Sequence, residues 1–267
     1  MNLEDTHADI ILKAQRGLGL DDRTVEDRAG LAAGRLERVL QNLPDPAAVK
    51  AVAAALGLDP RSLAALAARA YYPDAGQIPK GLLMFSTPFG EMVVNSFLVW
   101  DPETGRAAAF DTGTDCDGLL EAVRRHALKL TAVYLTHSHG DHIYDLDRLV
   151  EKTGAKAWSC EAVDRAEPFE PGAHFTIGGL RVSTRLTCGH SAAGITYVIS
   201  GLSRPVAVVG DALFAGSMGG GKVSYAEALR TTRAQILSLP ADTLLCPGHG
   251  PLTTVALEKA NNPFFPA

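Results

Sequence analysis

Apolar positions along this chain change their period partway through. Residues 1–72 carry alanine and leucine at helical spacing. "DPAAVKAVAAALGL" opens with Asp45 as a helix N-cap and Pro46 at the first helical position, and closes near Gly57, suited to a left-handed C-terminal turn. "DPRSLAALAARAY" repeats the device with Asp59 and Pro60. The pattern predicts an all-helical domain over 1–72. "YYPDAGQIPKG" then interrupts it with two prolines and two glycines, and 73–81 reads as a linker. From 82 onward short apolar runs ("NSFLVW", "AAAF", "TAVYLT", "RVSTRLT", "TYVIS", "PVAVVG") alternate with glycine-rich turns. Two helical stretches, "CDGLLEAVRRHAL" and "DHIYDLDRLVEKTG", fall between them. Residues 82–267 are therefore expected to form an α/β domain. No internal repeat or low-complexity segment is visible.

Composition narrows the function classes. The 267 residues are 46% hydrophobic, enough for a sizeable core. The net charge of −5 comes without any block of like charges, which argues against nucleic acid or an anionic membrane as the main partner. "MNLEDTHADI" lacks the basic and apolar regions of a secretory signal, and no apolar run approaches a membrane span. Cys116, Cys160, Cys188 and Cys246 are scattered, with no CxxC, and read as reduced thiols. A cytoplasmic location and a small-molecule substrate are the resulting expectations.

Candidate chemistry concentrates in "THSHGDH" (136–142), which holds three of the eight histidines. A strand end precedes it. His137 and His139 can point the same way from an extended turn, while Asp141 and His142 begin the next helix and face a second point nearby. Neutral imidazoles with a carboxylate suit zinc, and also iron or manganese. The plain alternative is a histidine-rich surface loop. Against it, His190, Asp211 and His249 each follow an apolar strand, and loops at one edge of an α/β fold sit on rigid supports. His7, His126 and His174 read as surface or packing residues.

"THSHGDH", "TCGHSAAG", "VVGDALFAGSMGG" and "CPGHGP", in this order, resemble the metallo-β-lactamase superfamily, with "AAAFDTG" similar to its early strand-end aspartate motif. The resemblance covers roughly residues 82–262. It implies an αββα sandwich with a metal site at one edge. By motif, His137, His139 and His190 would hold one metal, Asp141, His142 and His249 the other, and Asp211 would bridge them, with Asp111 in support. Asp211 stands where the best-known zinc β-lactamases carry cysteine, and His142 where they carry arginine. Flavodiiron oxygen reductases carry glutamate at the position of His139. The full ligand set is most similar to glyoxalase II, its short bacterial relatives and persulfide dioxygenases. The implied chemistry is hydrolysis of a thioester or related ester by hydroxide on two divalent metals, most often zinc, with Asp141 also orienting the hydroxide. No serine sits in a GxSxG context. Cys188 and Cys246 lie within three residues of ligands and read as packing residues.

Substrate contacts carry over less completely. The related enzymes present a basic residue after Gly219, whereas this chain has Gly220 there and lysine only at Lys222. Lys222 and Tyr225 are the candidates to reach a substrate carboxylate; a solvent-exposed turn is the alternative. Only 18 residues follow His249, so the C-terminal helical domain of long-form glyoxalase II is not expected. A mononuclear iron persulfide dioxygenase is the alternative reading of the site.

"TVEDRAGLAAGRLERVLQNLPDPAAVKAVAAALGL" (24–58) resembles a helix-turn-helix of the Cro/repressor type, with Arg35 and Arg38 as candidate DNA contacts. Charge weighs against that use. Residues 1–75 hold nine Lys/Arg and eleven Asp/Glu, where a DNA binder shows a basic face. The favoured role is a helical module that dimerises or roofs the active-site edge; a DNA-binding regulator with a metal-dependent sensor domain is the other class.

Overall fold

The computed structural model describes residues 1–266. Five helices come first: α1 (His7–Gly17), α2 (Asp22–Ala29), α3 (Arg35–Leu40), α4 (Pro46–Ala55) and α5 (Pro60–Ala67). Local chemistry sets their starts. Asp45 accepts from Ala48 N at 3.0 Å and Asp59 from Ser62 N at 2.7 Å, each followed by proline at the first helical position. Thr6 and Asp9 form a reciprocal capping box on α1.

Two six-stranded sheets follow. The first comprises β1 (Leu82–Phe89), β2 (Met92–Trp100), β3 (Arg106–Phe110), then β4 (Lys129–Tyr134), β5 (Lys156–Ser159) and β6 (Ala166–Pro168), in that spatial order. Between its strands lie α6 (Asp117–Arg125), α7 (Gly140–Ile143) and α8 (Leu146–Thr153). The second sheet comprises β7 (His174–Ile177), β8 (Leu180–Leu186), β9 (Ile195–Ser200) and β10 (Val206–Gly210), and after α9 (Tyr225–Thr231) it adds β11 (Leu244–Pro247) and β12 (Thr253–Thr254). α10 (Val255–Asn261) is the last helix of the described residues.

Side-chain alternation along the strands explains the layering. Ala108 and Phe110 of β3 face inward, with Val206 and Val208 of β10, into the core between the sheets. Ala107 and Ala109 face the other way, against α6 and α8 through Leu119, Leu146 and Leu149. Ala207, Val209 and Leu245 point outward from the second sheet into a cluster built largely from the N-terminal helices, among them Ile10, Leu36, Val52 and Leu63. The αββα order is thus present, and much of its fourth layer comes from α1–α5. Docking is intimate: Tyr225 fills the space over Gly17, where a β-carbon would stand 2.3 Å from its ring. No helix among the described residues is long and apolar enough to cross a membrane.

The structure departs from the sequence expectations in three places. Among the described residues after 82 there are five α-helices and a π-helical segment (Thr232–Ile236) rather than two helices, because "YAEALRT" and "VALEKAN" are also helical, capped by Ser224 and Thr254. "DHIYDLDRLVEKTG" is broken at Tyr144–Asp145 into α7 and α8. In the region resembling a helix-turn-helix, α3 has only six residues, and the guanidinium of Arg35 is held by Asp45 at 2.7 Å. Arg38 is exposed on the same helix.

Candidate metal centre

Four loops meet at one edge of the sandwich. The chain leaves β4 at Tyr134 and, in extended form, delivers His137 and His139. His139 is the N-cap of α7, whose first turn supplies Asp141 and His142. His190 follows β8, Asp211 follows β10, and His249 follows β11. Ligand-capable atoms of His137, His139, His190 and Asp211 all lie within 4.8 Å of one another, as do those of Asp141, His142 and His249.

The imidazole orientations are fixed from behind. Nδ1 of His142 meets Asp111 Oδ2 at 2.8 Å, Nδ1 of His190 meets Gly220 O at 3.0 Å, and Nδ1 of His249 meets Val93 O at 2.8 Å. His137 Nδ1 lies 3.0 Å from Thr136 Oγ1, which itself donates to Asp111 Oδ2 at 2.8 Å. Each acceptor places a proton on Nδ1 and turns Nε2 toward the centre. There His137 Nε2 and His190 Nε2 both approach His139 Nδ1, at 2.9 and 3.0 Å. One ring proton on His139 can satisfy only one of them. Three converging nitrogens with at most one proton among them call for a cation.

Asp211 spans both groups. Its Oδ2 lies 3.2 Å from His190 Nε2 and 3.5 Å from His249 Nε2, and its Oδ1 lies 3.3 Å from His142 Nε2. Asp141 Oδ2 lies 3.2 Å from His249 Nε2 and 3.5 Å from His142 Nε2. His142 Nε2 and Asp211 Oδ1 are buried without a hydrogen-bond partner, a costly arrangement unless a metal occupies the space between such atoms.

Electrostatics agree with this donor set. Burial, joined by neighbouring positive groups, holds His137 and His139 below the usual imidazole value and His190 at about 4, so their lone pairs stay free. Burial opposes ionisation of Asp141 and Asp211, but His142 and His249 overcome it; Asp141 falls to about 2 and Asp211 lies well below the ordinary range. Against the burial that disfavours their charge, the carboxylates raise His142 to about 10 and His249 to about 11 in the protein alone. A divalent cation held by His142 and His249 would replace those protons.

Behind the ligands stand Asp111, expected in a supporting role, and residues that sequence reasoning missed, Glu161 and Asn95. Asp111 has φ of 55°, a left-handed conformation rare for a non-glycine residue. From there it accepts from Thr136 N at 2.7 Å and from Thr136 Oγ1, besides contacting His142. Glu161 accepts from Ser138 N, Ser138 Oγ and Ala193 N at 2.8, 2.6 and 2.9 Å, tying the loop of His137 and His139 to that of His190. Asn95 donates to Pro247 O and Gly250 O at 3.0 and 2.8 Å, pinning the loop of His249. Two glycines are required by space. A methyl at Gly219 would stand 2.1 Å from Asp211 O, and one at Gly248 would stand 2.3 Å from Asp211 Oδ1.

The substrate candidates separate. Lys222 is exposed and its charge is felt at His139 and His190, so it stands at that rim of the site. Tyr225 turns away: its ring packs against Gly17 and Phe264, and burial raises its hydroxyl to about 12. Cys246 is buried in the core between the sheets, a packing role. Among the remaining histidines, His126 stacks on Trp100 and His7 is buried in the helical layer.

A family model described as "Metallo-beta-lactamase superfamily" matches residues 89–249, more than half of the chain. The chain belongs to the metallo-β-lactamase superfamily. It is 32% identical over 190 residues to the "Beta-lactamase hydrolase-like protein" of Agrobacterium fabrum, an alignment covering 57% of this chain but only 43% of that protein. It is 26% identical over 198 residues to "Hydroxyacylglutathione hydrolase GloC" of Haemophilus influenzae, covering 64% of this chain and 92% of that one. Among solved structures, ETHE1 from Myxococcus xanthus superposes with a TM-score of 0.60 at 27% identity, covering 68% of this chain and 83% of that one.

Proposed function

We propose that the protein is a dinuclear metal-dependent hydrolase that cleaves a thioester or a related ester. The observation carrying this reading is the Asp211 carboxylate, whose oxygens face His190 on one side and His142 and His249 on the other. His137, His139 and His190 would hold one divalent ion, Asp141, His142 and His249 the second, with Asp211 between them. Two ions in such a site lower the pKa of a shared water and polarise a carbonyl. The protein's own residues supply the rest. Asp141 has carboxylate oxygen to orient that water while holding an ion, and the backbone acceptors behind His190 and His249 keep their rings in one orientation. Lys222 offers a positive charge at the rim for a substrate carboxylate. The helical layer covers the outer face of the second sheet, and the segment before it reaches the loops of the site, a packing role we favour over DNA binding because Arg35 is paired with Asp45. The similarity to a hydroxyacylglutathione hydrolase supports the thioester class.

A mononuclear iron reading has one specific support, since the group of His137, His139, His190 and Asp211 contains a two-histidine, one-carboxylate set. Elemental mass spectrometry of protein purified without a chelating tag separates the two. Two zinc ions per chain, with zinc-dependent hydrolysis of S-lactoylglutathione and acyl thioesters that is lost in His139→Ala, is the expected result. One iron per chain with no thioesterase activity and oxygen uptake on glutathione persulfide would overturn it.

A further inference from the structure

The segment before α1 lies on the metal centre. Glu4 packs on the loop of His249: a β-carbon on Gly250 would stand 3.2 Å from Glu4 N and 3.5 Å from Glu4 Cβ. The segment is anchored on both sides of Glu4. Tyr72 donates its hydroxyl to Met1 O at 2.7 Å. Asp5 accepts from Ser217 Oγ at 2.5 Å and pairs with Lys13, which also donates to Met218 O at 2.9 Å. Thr6 then caps α1. Ser217 and Met218 belong to the loop running from Asp211 to Gly219, so the segment grips the loop that shapes the site. Lys13 further covers the ring of Phe214, whose edge meets His249.

Glu4 is the one acidic side chain of this anchored segment without an ion-pair partner within 4.0 Å among the described residues; Lys13 is taken by Asp5. Burial of the half-buried Glu4 carboxyl raises it above the usual range, and the charges within its reach are those of His249, Asp5, Lys13 and Asp211. The charge of Lys222, by contrast, acts on His139 and His190. The mouth is therefore polarised, negative at the His249 side and positive at the His139 side.

We infer that Glu4 is a specificity-determining residue, selecting substrates that bring a cationic group such as an ammonium to the His249 side and disfavouring anionic groups there. The inference rests on the metal-centre reading above. In this role the segment leading into α1 writes part of the substrate preference of the site beside it.

The test uses zinc-loaded full-length protein and three small thiols that differ in charge: 2-aminoethanethiol, 2-mercaptoethanol and 3-mercaptopropanoate. Their dissociation constants are measured by calorimetry for the wild type, Glu4→Gln and a control, Glu103→Gln, whose exposed side chain lies at the far end of β2. Glu4→Gln is expected to lower the ratio of amine-thiol to carboxylate-thiol affinity by about tenfold, the effect of one partly screened charge acting oppositely on the two ligands. Affinity for neutral 2-mercaptoethanol should stay unchanged, and Glu103→Gln should leave all three values unchanged. An unaltered ratio in Glu4→Gln, with 2-mercaptoethanol still bound, would overturn the inference and leave the metal centre standing. Failure of the wild type to bind zinc would overturn the metal-centre reading, and the inference with it; zinc-loaded wild type that binds none of the three thiols would overturn the inference alone.

Discussion

Glu258 of α10 offers a sharp test of how the helical layer is joined to the catalytic loops. Its side chain is fully buried. Oε2 accepts from Gly216 N at 2.9 Å and Asn262 Nδ2 at 2.8 Å; Oε1 accepts from Thr253 Oγ1 at 2.6 Å and Tyr71 OH at 3.2 Å. The four donors favour a charged carboxylate, but loss of water outweighs them and raises the group from 4.5 to about 7. A carboxyl whose folded value is raised contributes stability that is intact below its unfolded value and lost as pH rises through the folded value. For Glu258 the loss runs between about 4.5 and about 7. That interval corresponds to about 3 kcal/mol, fully felt above it. Glu258→Gln should remove this loss. The amide oxygen can accept from Gly216 and Asn262, while its NH₂ donates to the hydroxyls of Tyr71 and Thr253, which can rotate to accept. Denaturant unfolding of the zinc-loaded wild type and variant is the assay, repeated from about pH 5 to about pH 8. The variant should gain on the wild type by about 3 kcal/mol across that range. A stability difference that does not change with pH would refute the reasoning.

Two further substitutions probe the metal centre. Asp111→Asn keeps a residue that tolerates the left-handed backbone but weakens the acceptor behind His142 and Thr136; zinc affinity should fall by about 10- to 100-fold in chelator competition, and an unchanged affinity would remove Asp111 from its orienting role. Gly219→Ala drives a methyl into Asp211 O and His190 Nδ1; zinc content should fall, with a stability loss of about 3 kcal/mol by chemical denaturation, and a fully loaded variant of wild-type stability would contradict the packing described.

Much of the site was legible because its information is local. Four histidine and aspartate positions sit within "THSHGDH", and the other three each follow an apolar run long enough to read as a strand. The Asp45 and Asp59 caps were legible for the same reason, a side chain acting on a backbone three residues away. What escaped depended on distance or brevity. β5, β6 and β12 have four, three and two residues, too few to display a period. Glu161 and Asn95 act across 23 to 155 residues of chain and carry no motif. Amphipathic spacing in α1–α5 announced a buried face without saying which sheet it would cover. Tyr225 looked like a loop residue near a ligand, and only the approach of Gly17 shows where its ring goes.

The shared cluster between the N-terminal helices and the second sheet changes how damage to this protein should be read. Ile10, Val52, Leu63, Val209, Leu213 and Met218 belong to one continuous apolar body. Leu213 and Met218 lie in the loop leaving Asp211. A lesion deep in α4 or α5, remote from any imidazole, can therefore present in a screen as an active-site defect. Trimming the chain to its sandwich would uncover Ala207, Val209 and Leu245 and favour clumping over catalysis. In stability the two halves stand or fall together.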